Sequence, residues 1–403
     1  MLQLPSLITT DRGETRFLLF DDLHLLWDHA RGADLLDTAD NPAAIDASNH
    51  DAAKTTGSET VKASRPAAGF PDGAAGKPDG HPVLIVDENV MSAHQERINA
   101  AFPDDKVHCF EVPSGEASKS IAMWNRVMDF AFTGPLKRNT PLIAVGGGVT
   151  GDLAGFAAAS LMRGLPLYHV PTTLLAMVDS AIGGKTGINH AFGKNTIGAF
   201  YHPRAVLFYT AFLETLPQRE WLCGISEVLK YGYIADPDLL DDGAALADPA
   251  SRTPERLQRV IERSVRIKSN VVAADAREAG RRAWLNFGHT FGHALETLDN
   301  YRNINHGEAV YAGMIAALFV SRRFGYEVSD KPLLQLREKY RLDLGPYTSH
   351  TGELVTLMTH DKKNRDQKIR LVLISAHGNP IVTPVSDLSL LQEAWKYTFD
   401  VLT

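Results

Sequence analysis

The pattern of apolar and polar positions divides the chain into regions of different character. Short apolar runs at residues 83–86, 142–145 and 167–170 alternate with helix-length segments. Such alternation is typical of βαβ units and a parallel sheet. After about residue 217 the strand signal fades and helical periodicity replaces it. We therefore predict an α/β region followed by an all-α region.

Residues 31–80 differ in composition from the rest of the chain. They are rich in Ala, Asp, Gly, Pro, Ser and Lys, and Phe70 is their one aromatic residue. Such a segment cannot bury enough apolar surface to offset its ordering entropy, so we predict a disordered insertion. The predicted division is residues 1–30 as a strand and turn of the α/β domain, the 31–80 insertion, an α/β domain at 81–215 and a helical domain at 216–403.

Two helix starts have clear signals. Thr253 precedes Pro254 as a predicted N-cap, and Asn305 precedes Glu308 by three residues, which is the spacing of a capping box. Along the first of these helices Lys268 falls on the apolar stripe. A buried lysine without a partner is costly, although a single lysine more often extends from the edge of such a stripe into solvent.

Composition narrows the functional classes. The 403 residues carry a net charge of −7, which gives no basic field for nucleic acid or an anionic membrane. The two cysteines, Cys109 and Cys223, form no CxxC pair and no disulfide framework. No signal peptide or bilayer-spanning run is recognisable. We expect a cytoplasmic protein without nucleic-acid or membrane partners.

A glycine-rich turn follows the apolar run at residues 142–145. The letters GGGVTG at residues 146–151 satisfy the GxGxxG pattern between a predicted strand and a predicted helix. Without Cβ atoms, backbone N–H groups can approach a pyrophosphate at the helix N-terminus. No acid ends the next strand, which continues into PTT at 171–173, so an ordinary Rossmann ribose site is not supported. The turn could also serve tight packing alone.

Histidines recur at helical spacing in the second half of the chain. Asn286, His289 and His293 are predicted to share one helical face, and His306 begins the next helix. Glu227 lies upstream, and a glutamate with two histidines is a frequent ligand set for catalytic zinc. We predict a metal site, with the choice between His289 and His293 left open.

Positively charged side chains recur among small and apolar residues. Together they suit a ligand with phosphate and carboxylate groups, although any one of them could be a solvated surface residue. They are Lys185, Lys194, Lys230, Lys268, Arg282, Lys362 and Lys363.

A series of short segments, taken in order, resembles the 3-dehydroquinate synthase family of sugar-phosphate cyclases. The segments are jointly specific, and the first 80 residues are not well covered by the resemblance. They are GGGVTGDLAG at 146–155, PTTLLA at 171–176, VD at 178–179, GGKTGIN at 183–189, GKN at 193–195, EVLK at 227–230, LNFGHTFGH at 285–293, HGEAV at 306–310 and DKK at 361–363.

The resemblance implies a carbon–oxygen lyase in which a Rossmann-like NAD-binding domain precedes an all-α metal- and substrate-binding domain. It implies that Glu227, His289 and His306 hold zinc, for which Co²⁺ could substitute. It places around NAD the residues Asp87, Asn89, Glu116, Lys119, Gly147, Gly148, Asp152, Thr172, Thr173, Lys194 and Thr215.

The resemblance also implies a set of substrate contacts and catalytic residues. His293 and Glu278 become the candidate acid and base, together with Lys185, Lys230 and Asn286. Arg163 is expected to reach a neighbouring subunit, since family members are typically dimers. The implied substrate contacts are Arg163, Asp179, Lys185, Asn195, Lys230, Lys268, Arg282, Asn286 and Lys362.

The family reaction converts 3-deoxy-D-arabino-heptulosonate 7-phosphate to 3-dehydroquinate and phosphate, in the shikimate pathway to chorismate and the aromatic amino acids. NAD transiently oxidises a secondary alcohol, phosphate is eliminated, the hydride returns and an internal aldol step closes the ring. Zinc polarises the oxygen, and cationic side chains orient the phosphate and carboxylate. Histidine and glutamate would move protons.

The chain also departs from the family pattern. Family members commonly have Gln, Ser, Ala and Asp where this chain has Met177, Ala181, Ser226 and Thr210. These changes leave open a cyclase with a different sugar phosphate.

Three alternatives follow. A cyclase for a sugar phosphate that lacks a carboxylate is disfavoured by Arg282, Asn286 and Lys268, which suit a carboxylate. A metal-dependent polyol or glycerol-phosphate dehydrogenase would accumulate NADH. A catalytically silent binding protein would have no need of the complete set of ligands and charges.

Overall fold

The computed structural model describes residues 2–10, 13–20, 81–103, 106–275, 280–359 and 368–403. The predicted insertion at 31–80 and the predicted site residues Glu278 and Lys362 lie outside these residues. None of the described helices combines the length and apolar character that crossing a bilayer requires.

Nine strands belong to the first half of the described chain. They are β1 (Leu2–Thr10), β2 (Gly13–Leu19), β3 (Val83–Asp87), β4 (His108–Val112), β5 (Leu142–Gly146), β6 (Leu167–Pro171), β7 (Lys185–His190), β8 (Gly193–Phe200) and β9 (Ala205–Phe208). Seven of them form one sheet in the order β1-β2-β9-β6-β5-β3-β4. All neighbours in this sheet are parallel except β1 and β2. Strands β7 and β8 form a separate antiparallel hairpin.

The parallel strands β3, β5, β6 and β9 in the middle of the sheet are buried on both faces, as their continuous apolar runs predict. Along β3, Leu84 and Val86 pack into one core cluster and Val83 and Ile85 into another. Three helices cover this sheet: α1 (Glu88–Ala101), α2 (Ile121–Ala131) and α3 (Gly148–Ser160). The prediction of an α/β region is confirmed.

Strand order creates a crevice at the carboxyl ends of β3 and β5. The chain runs from β3 to β4 on one side, and from β5 to β6 on the other. Ligands of open α/β sheets bind at such a switch point. Asp87 ends β3 and Gly146 ends β5, so both lie at this crevice.

The second half of the chain is mainly helical. Its helices are α4 (Gln218–Ile234), α5 (Asp238–Ala245), α6 (Pro254–Ala274), α7 (His289–Leu298), α8 (His306–Arg323), α9 (Lys331–Leu334), α10 (Arg337–Tyr340), α11 (Thr351–Thr359) and α12 (Leu388–Leu402). The predicted helical region is confirmed with one addition, a hairpin of β10 (Ile369–Ala376) and β11 (Asn379–Val385). The largest core cluster joins the two halves, because it includes Phe17 and Phe208 of the sheet.

The predicted caps are present. The Thr253 side chain accepts a hydrogen bond from the Arg256 N–H at 3.3 Å. Asn305 and Glu308 form the reciprocal capping box, with N–O distances of 2.9 and 2.8 Å. Lys268 on α6 is buried, and it has an acidic partner that removes the penalty of an unpaired charge.

The predicted helical face shared by Asn286, His289 and His293 is wrong at Asn286. Gly288 has a left-handed conformation with φ of 79° and is the N-cap residue of α7, so Asn286 lies in the preceding 3₁₀ segment. The backbone at Gly288 packs tightly on α8: an added Cβ would lie 2.6 Å from Met314 Cγ and 2.9 Å from the Val310 carbonyl oxygen. The turn therefore needs glycine for both its conformation and its close packing.

The substitution Gly288→Ala tests this close packing. We expect the strained conformation to cost about 1–2 kcal/mol and the overlap about 1–3 kcal/mol more in free energy of unfolding, measured by urea denaturation. Gly325→Ala is the matched control, because Gly325 has φ of +86° and nothing within 4 Å of an added Cβ. Equal losses for the two variants would contradict the packing account.

Candidate active site

A cleft of about 1280 Å³ opens at the carboxyl ends of β3 and β5 and extends to α7 and α8. Asp179, Asn195, His293 and His306 also line it. Every residue predicted around NAD lines this cleft, namely Asp87, Asn89, Glu116, Lys119, Gly147, Gly148, Asp152, Thr172, Thr173, Lys194 and Thr215.

The glycine turn fits the phosphates of a nucleotide. Gly147 is the N-cap of α3, and no side chain caps this helix end. Added Cβ atoms at Gly147 and Gly148 would lie 3.1 Å from Thr173 Cγ2 and 3.0 Å from Ser180 Oγ. Bare backbone and a helix N-terminus therefore face the cleft, as anion binding requires. Within the described chain, the buried Thr172 Oγ1 also lacks a hydrogen-bond partner, so it remains available to a ligand.

The carboxylate of Asp87 lies in the same part of the cleft. The Asp87 carboxylate accepts hydrogen bonds from the Asn89 N–H at 3.0 Å and from Ser114 Oγ at 2.5 Å. Asp87 ends β3, the strand beside the glycine turn on the opposite side from β6. No acid ends β6, but Asp87 provides one at the end of β3, on the other side of β5, where a ribose hydroxyl could be bound.

The buried Lys119 and the half-buried Asp152 form an ion pair that lines the cleft. Burial raises the pKa of Asp152, and the neighbouring Lys119 ammonium opposes that shift. Glu116 accepts a hydrogen bond from Asn189 Nδ2 at 2.7 Å and lies 4.0 Å from Lys194 Nζ. Lys194 Nζ also lies 4.0 Å from the Tyr301 ring centre, so it links the hairpin to the helical half.

The three predicted metal ligands come together. Glu227 Oε1 lies 3.6 Å from His289 Nε2 and 3.5 Å from His306 Nε2. One donor atom from each of the three residues lies within 4.8 Å of the other two. A carboxylate with two imidazoles is a donor set that suits zinc. Of the two histidines left open by spacing alone, His289 is the one that faces Glu227.

The electrostatics of this cluster call for a cation. Both carboxylate oxygens of Glu227 are buried; the Lys230 ammonium contacts Oε2, and within the described residues Oε1 has no hydrogen-bond donor of ordinary geometry. Burial acts to raise the pKa of Glu227, but Lys230, His289 and His306 together outweigh burial and bring the pKa to about 2. Burial lowers the pKa of His289 well below its usual value, which leaves a neutral imidazole able to donate a lone pair.

Helix packing brings these ligands together. Glu227 lies on α4, His289 begins α7 and His306 begins α8. An added Cβ at Gly307 would lie 2.3 Å from Cys223 Cα, so the start of α8 touches the backbone of α4. Because Gly307 has no side chain, the start of α8 can approach α4 this closely. His306, the residue before it, can then reach Glu227, which lies one helical turn beyond Cys223 on α4.

Asp179 contacts two buried lysines beside the cluster of Glu227, His289 and His306. Its Oδ1 lies 2.9 Å from Lys268 Nζ and 3.5 Å from Lys230 Nζ, and it accepts a hydrogen bond from Tyr231 Oη at 2.6 Å. Burial acts to raise the pKa of Asp179, but Lys268 and Lys230 hold it well below its usual range. Lys230 also pairs with Glu227, so one network joins the two clusters.

The other predicted substrate residues lie around this network or apart from it. Arg282 is buried, and its Nη2 donates to the Gly183 carbonyl oxygen at 3.2 Å. Lys185 is exposed on β7, two residues beyond Gly183. Arg163 is exposed in a left-handed turn after α3, and it does not line the cleft.

Some residues of the site are not among the predictions. His94 Nε2 lies 2.7 Å from Thr215 Oγ1, and Ser114 holds Asp87. Neither residue has a sequence signal, because each acts through a tertiary contact. Glu296 lies 3.5 Å from His306 Nδ1 and falls three residues after His293, so helical spacing could have found it.

The fold has solved relatives. A crystal structure of 2-deoxy-scyllo-inosose synthase complexed with carbaglucose-6-phosphate, NAD⁺ and Co²⁺ is 24% identical, with a TM-score of 0.74 over 98% of this chain and 99% of that one. The 2-epi-5-epi-valiolone synthase of Streptomyces hygroscopicus, with NAD⁺ and Zn²⁺ bound, is 25% identical, with a TM-score of 0.72 over 79% of this chain and 91% of that one. The fold is that of the sugar-phosphate cyclases.

The sequence comparisons are more specific. Family models described as 3-dehydroquinate synthase N-terminal and C-terminal match residues 109–223 and 224–364. The 3-dehydroquinate synthase of Halorhodospira halophila is 45% identical over 75% of this chain and 85% of its own length. That of Methylococcus capsulatus is 43% identical over 78% of this chain and 89% of its own. The chain belongs to the 3-dehydroquinate synthase family.

The substitution Asp179→Asn tests the buried charge network. It leaves two buried ammonium groups short of a carboxylate, so we expect a loss of about 3–5 kcal/mol in free energy of unfolding, measured by urea denaturation. Asp238→Asn is the control, because its partner Arg263 lies 2.8 Å away on the surface; it should lose about 0–1 kcal/mol. A similar small loss for both variants would contradict the network.

Proposed function

We propose that this protein is a 3-dehydroquinate synthase, which converts 3-deoxy-D-arabino-heptulosonate 7-phosphate to 3-dehydroquinate and phosphate in the shikimate pathway. One observation carries the proposal beyond family membership. The glycine turn at Gly147 and Gly148 lines a cleft. The same cleft adjoins the cluster of Glu227, His289 and His306. A nucleotide and a metal ion could therefore act on one substrate.

NAD and Zn²⁺, or Co²⁺, are the cofactors we propose. The two solved cyclases support this, since their structures contain NAD⁺ with Co²⁺ or Zn²⁺. When bound, NAD would accept and return a hydride, while the metal ion would polarise the oxygen undergoing oxidation. We propose that Glu227, His289 and His306 hold the metal, and that the cleft residues around Gly147 and Asp87 hold NAD.

The cationic side chains would bind the anionic substrate. Lys230 and Lys268 both contact Asp179. Arg282 contacts Gly183, which belongs to the loop that leads to Lys185. With two carboxylates and two lysines, the network has little net charge, so an added divalent cation would make it positive and favourable to phosphate and carboxylate. Asn195, Asn286 and Lys362 complete the proposed substrate contacts.

His293 is the described residue best placed to move a proton. It is exposed and lines the cleft, and its ring centre lies 5.5 Å from that of His289. An imidazole carries ring nitrogens that can donate or accept a proton, as a general acid or base must. Glu278 remains the second proposed acid–base residue.

The assembly and setting are also proposals. We propose a homodimer in which Arg163 reaches the substrate phosphate of the neighbouring subunit. The exposed position of Arg163, away from the cleft of its own chain, supports this assignment. The free thiols of Cys109 and Cys223 agree with a reducing cytosol. We also propose a domain boundary at about residue 215, just before α4 begins at Gln218.

A coupled assay tests the proposed function. Purified protein with NAD and the heptulosonate phosphate should release phosphate without a net rise in NADH absorbance, since the hydride returns. Chelation should abolish release and zinc should restore it. His289→Ala should lose both bound zinc and activity, whereas the exposed His350→Ala should keep both.

Two results would contradict the proposal in different ways. NADH that accumulates in step with product would indicate a dehydrogenase of related fold, such as the probable glycerol dehydrogenase of Sinorhizobium meliloti, which is 16% identical with a TM-score of 0.53. Phosphate release from a carboxylate-free sugar phosphate alone would indicate a different cyclase. The buried Met177 and Ala181, on either side of Asp179, are where such a difference would arise.

A further inference from the structure

The two histidines of the proposed metal site differ in what contacts the Nδ1 atom of each ring. Both turn Nε2 toward Glu227, at 3.6 Å for His289 and 3.5 Å for His306. Behind His289, Nδ1 lies 3.1 Å from the Phe287 carbonyl oxygen. Behind His306, Nδ1 lies 3.5 Å from Glu296 Oε1. The backbone therefore orients the first imidazole, whereas a side chain faces the second.

Glu296 is a buried carboxylate with no part in the proposed chemistry. It lies on α7, 5% exposed, three residues after His293 and seven after His289. These spacings put its side chain on the helical face that carries both histidines. A buried carboxylate needs charged or hydrogen-bonding partners, and the charged groups around Glu296 are His306, His293 and Lys194.

We propose that Glu296 is a positioning residue for the metal ligand His306. Its carboxylate accepts the Nδ1–H of His306, which fixes the tautomer that leaves the Nε2 lone pair directed at the cation. The inference rests on the proposed metal site. A cation at Nε2 draws electron density from the ring and makes the Nδ1–H a stronger donor, so the 3.5 Å contact would strengthen on binding.

His306 needs such a partner more than His289 does. The His306 side chain is 34% exposed at the first position of α8, whereas that of His289 is 12% exposed. The capping box at Asn305 and Glu308 fixes the backbone there, and Arg219 holds Glu308 through two contacts of 2.6 Å. These contacts do not fix the ring, whose rotation remains open without an acceptor at Nδ1.

A second metal site is the rival interpretation. One donor atom each from His293, Glu296 and His306 lies within 4.8 Å of the others. Binding a second ion through Nδ1 while Nε2 holds the first would require a fully deprotonated imidazole. Neutral imidazole supplies one lone pair and one N–H, which matches one metal and one carboxylate acceptor.

Zinc affinity measured by competition with a chelator tests the inference. We expect Glu296→Ala to weaken zinc binding about 10–100-fold, the usual effect of removing an outer partner of a metal ligand. Glu296→Gln should retain most of the affinity, because its amide oxygen can still accept the Nδ1–H. Asp330→Asn is the control: this buried carboxylate pairs with Arg322 and Tyr397 away from the cluster, and its loss should leave zinc affinity unchanged.

The outcomes separate the interpretations. Thermal unfolding of each metal-free variant establishes that it is folded. If Glu296→Ala is not folded, Glu296→Leu, which keeps more of the buried volume but accepts no hydrogen bond, replaces it with the same expected loss of zinc affinity. Unchanged zinc affinity in folded Glu296→Ala overturns the inference alone, as does an equal loss in both variants. Two zinc ions in the parent chain and one in Glu296→Ala would establish the rival site. A parent chain that binds no zinc would overturn the proposed metal site itself.

Discussion

The buried carboxylate of Glu227 is the constraint on which the site depends. An ionised carboxylate at full burial is stable only when positive charge surrounds it. Lys230 supplies part of that charge from the same helix, and His289 and His306 turn their Nε2 atoms toward Glu227 from two others. Helices α4, α7 and α8 must therefore pack closely, and the glycines at 288 and 307 permit this.

The same charge extends the site toward the sheet. Lys230 contacts both Glu227 and Asp179, and Asp179 precedes the loop that leads into β7. This chain of ion pairs links Glu227, His289 and His306 in the helical half to residues beside the glycine turn in the α/β half. The fold thus agrees with the proposed adjacent positions of a nucleotide, a metal ion and an anionic substrate, and the family's chemistry requires all three together.

Much of this arrangement could be predicted from sequence, because the signals are local. Apolar runs give the parallel strands, and the Asn305–Glu308 spacing gives a helix cap. Spacing could not choose between His289 and His293, since both lie on α7 and the choice depends on which one α4 faces. The hairpin at 369–385 was not predicted. The left-handed turn at Gly288 also escaped prediction, because its cause is contact with α8 rather than any local pattern.

Crystallography at the zinc absorption edge, on protein crystallised with zinc and NAD, tests the central claim most directly. The account predicts one anomalous peak per chain, about 2.0–2.2 Å from a Glu227 oxygen and from Nε2 of both His289 and His306. A sole peak between His293 and Glu296, or the absence of zinc beside Glu227, would contradict it.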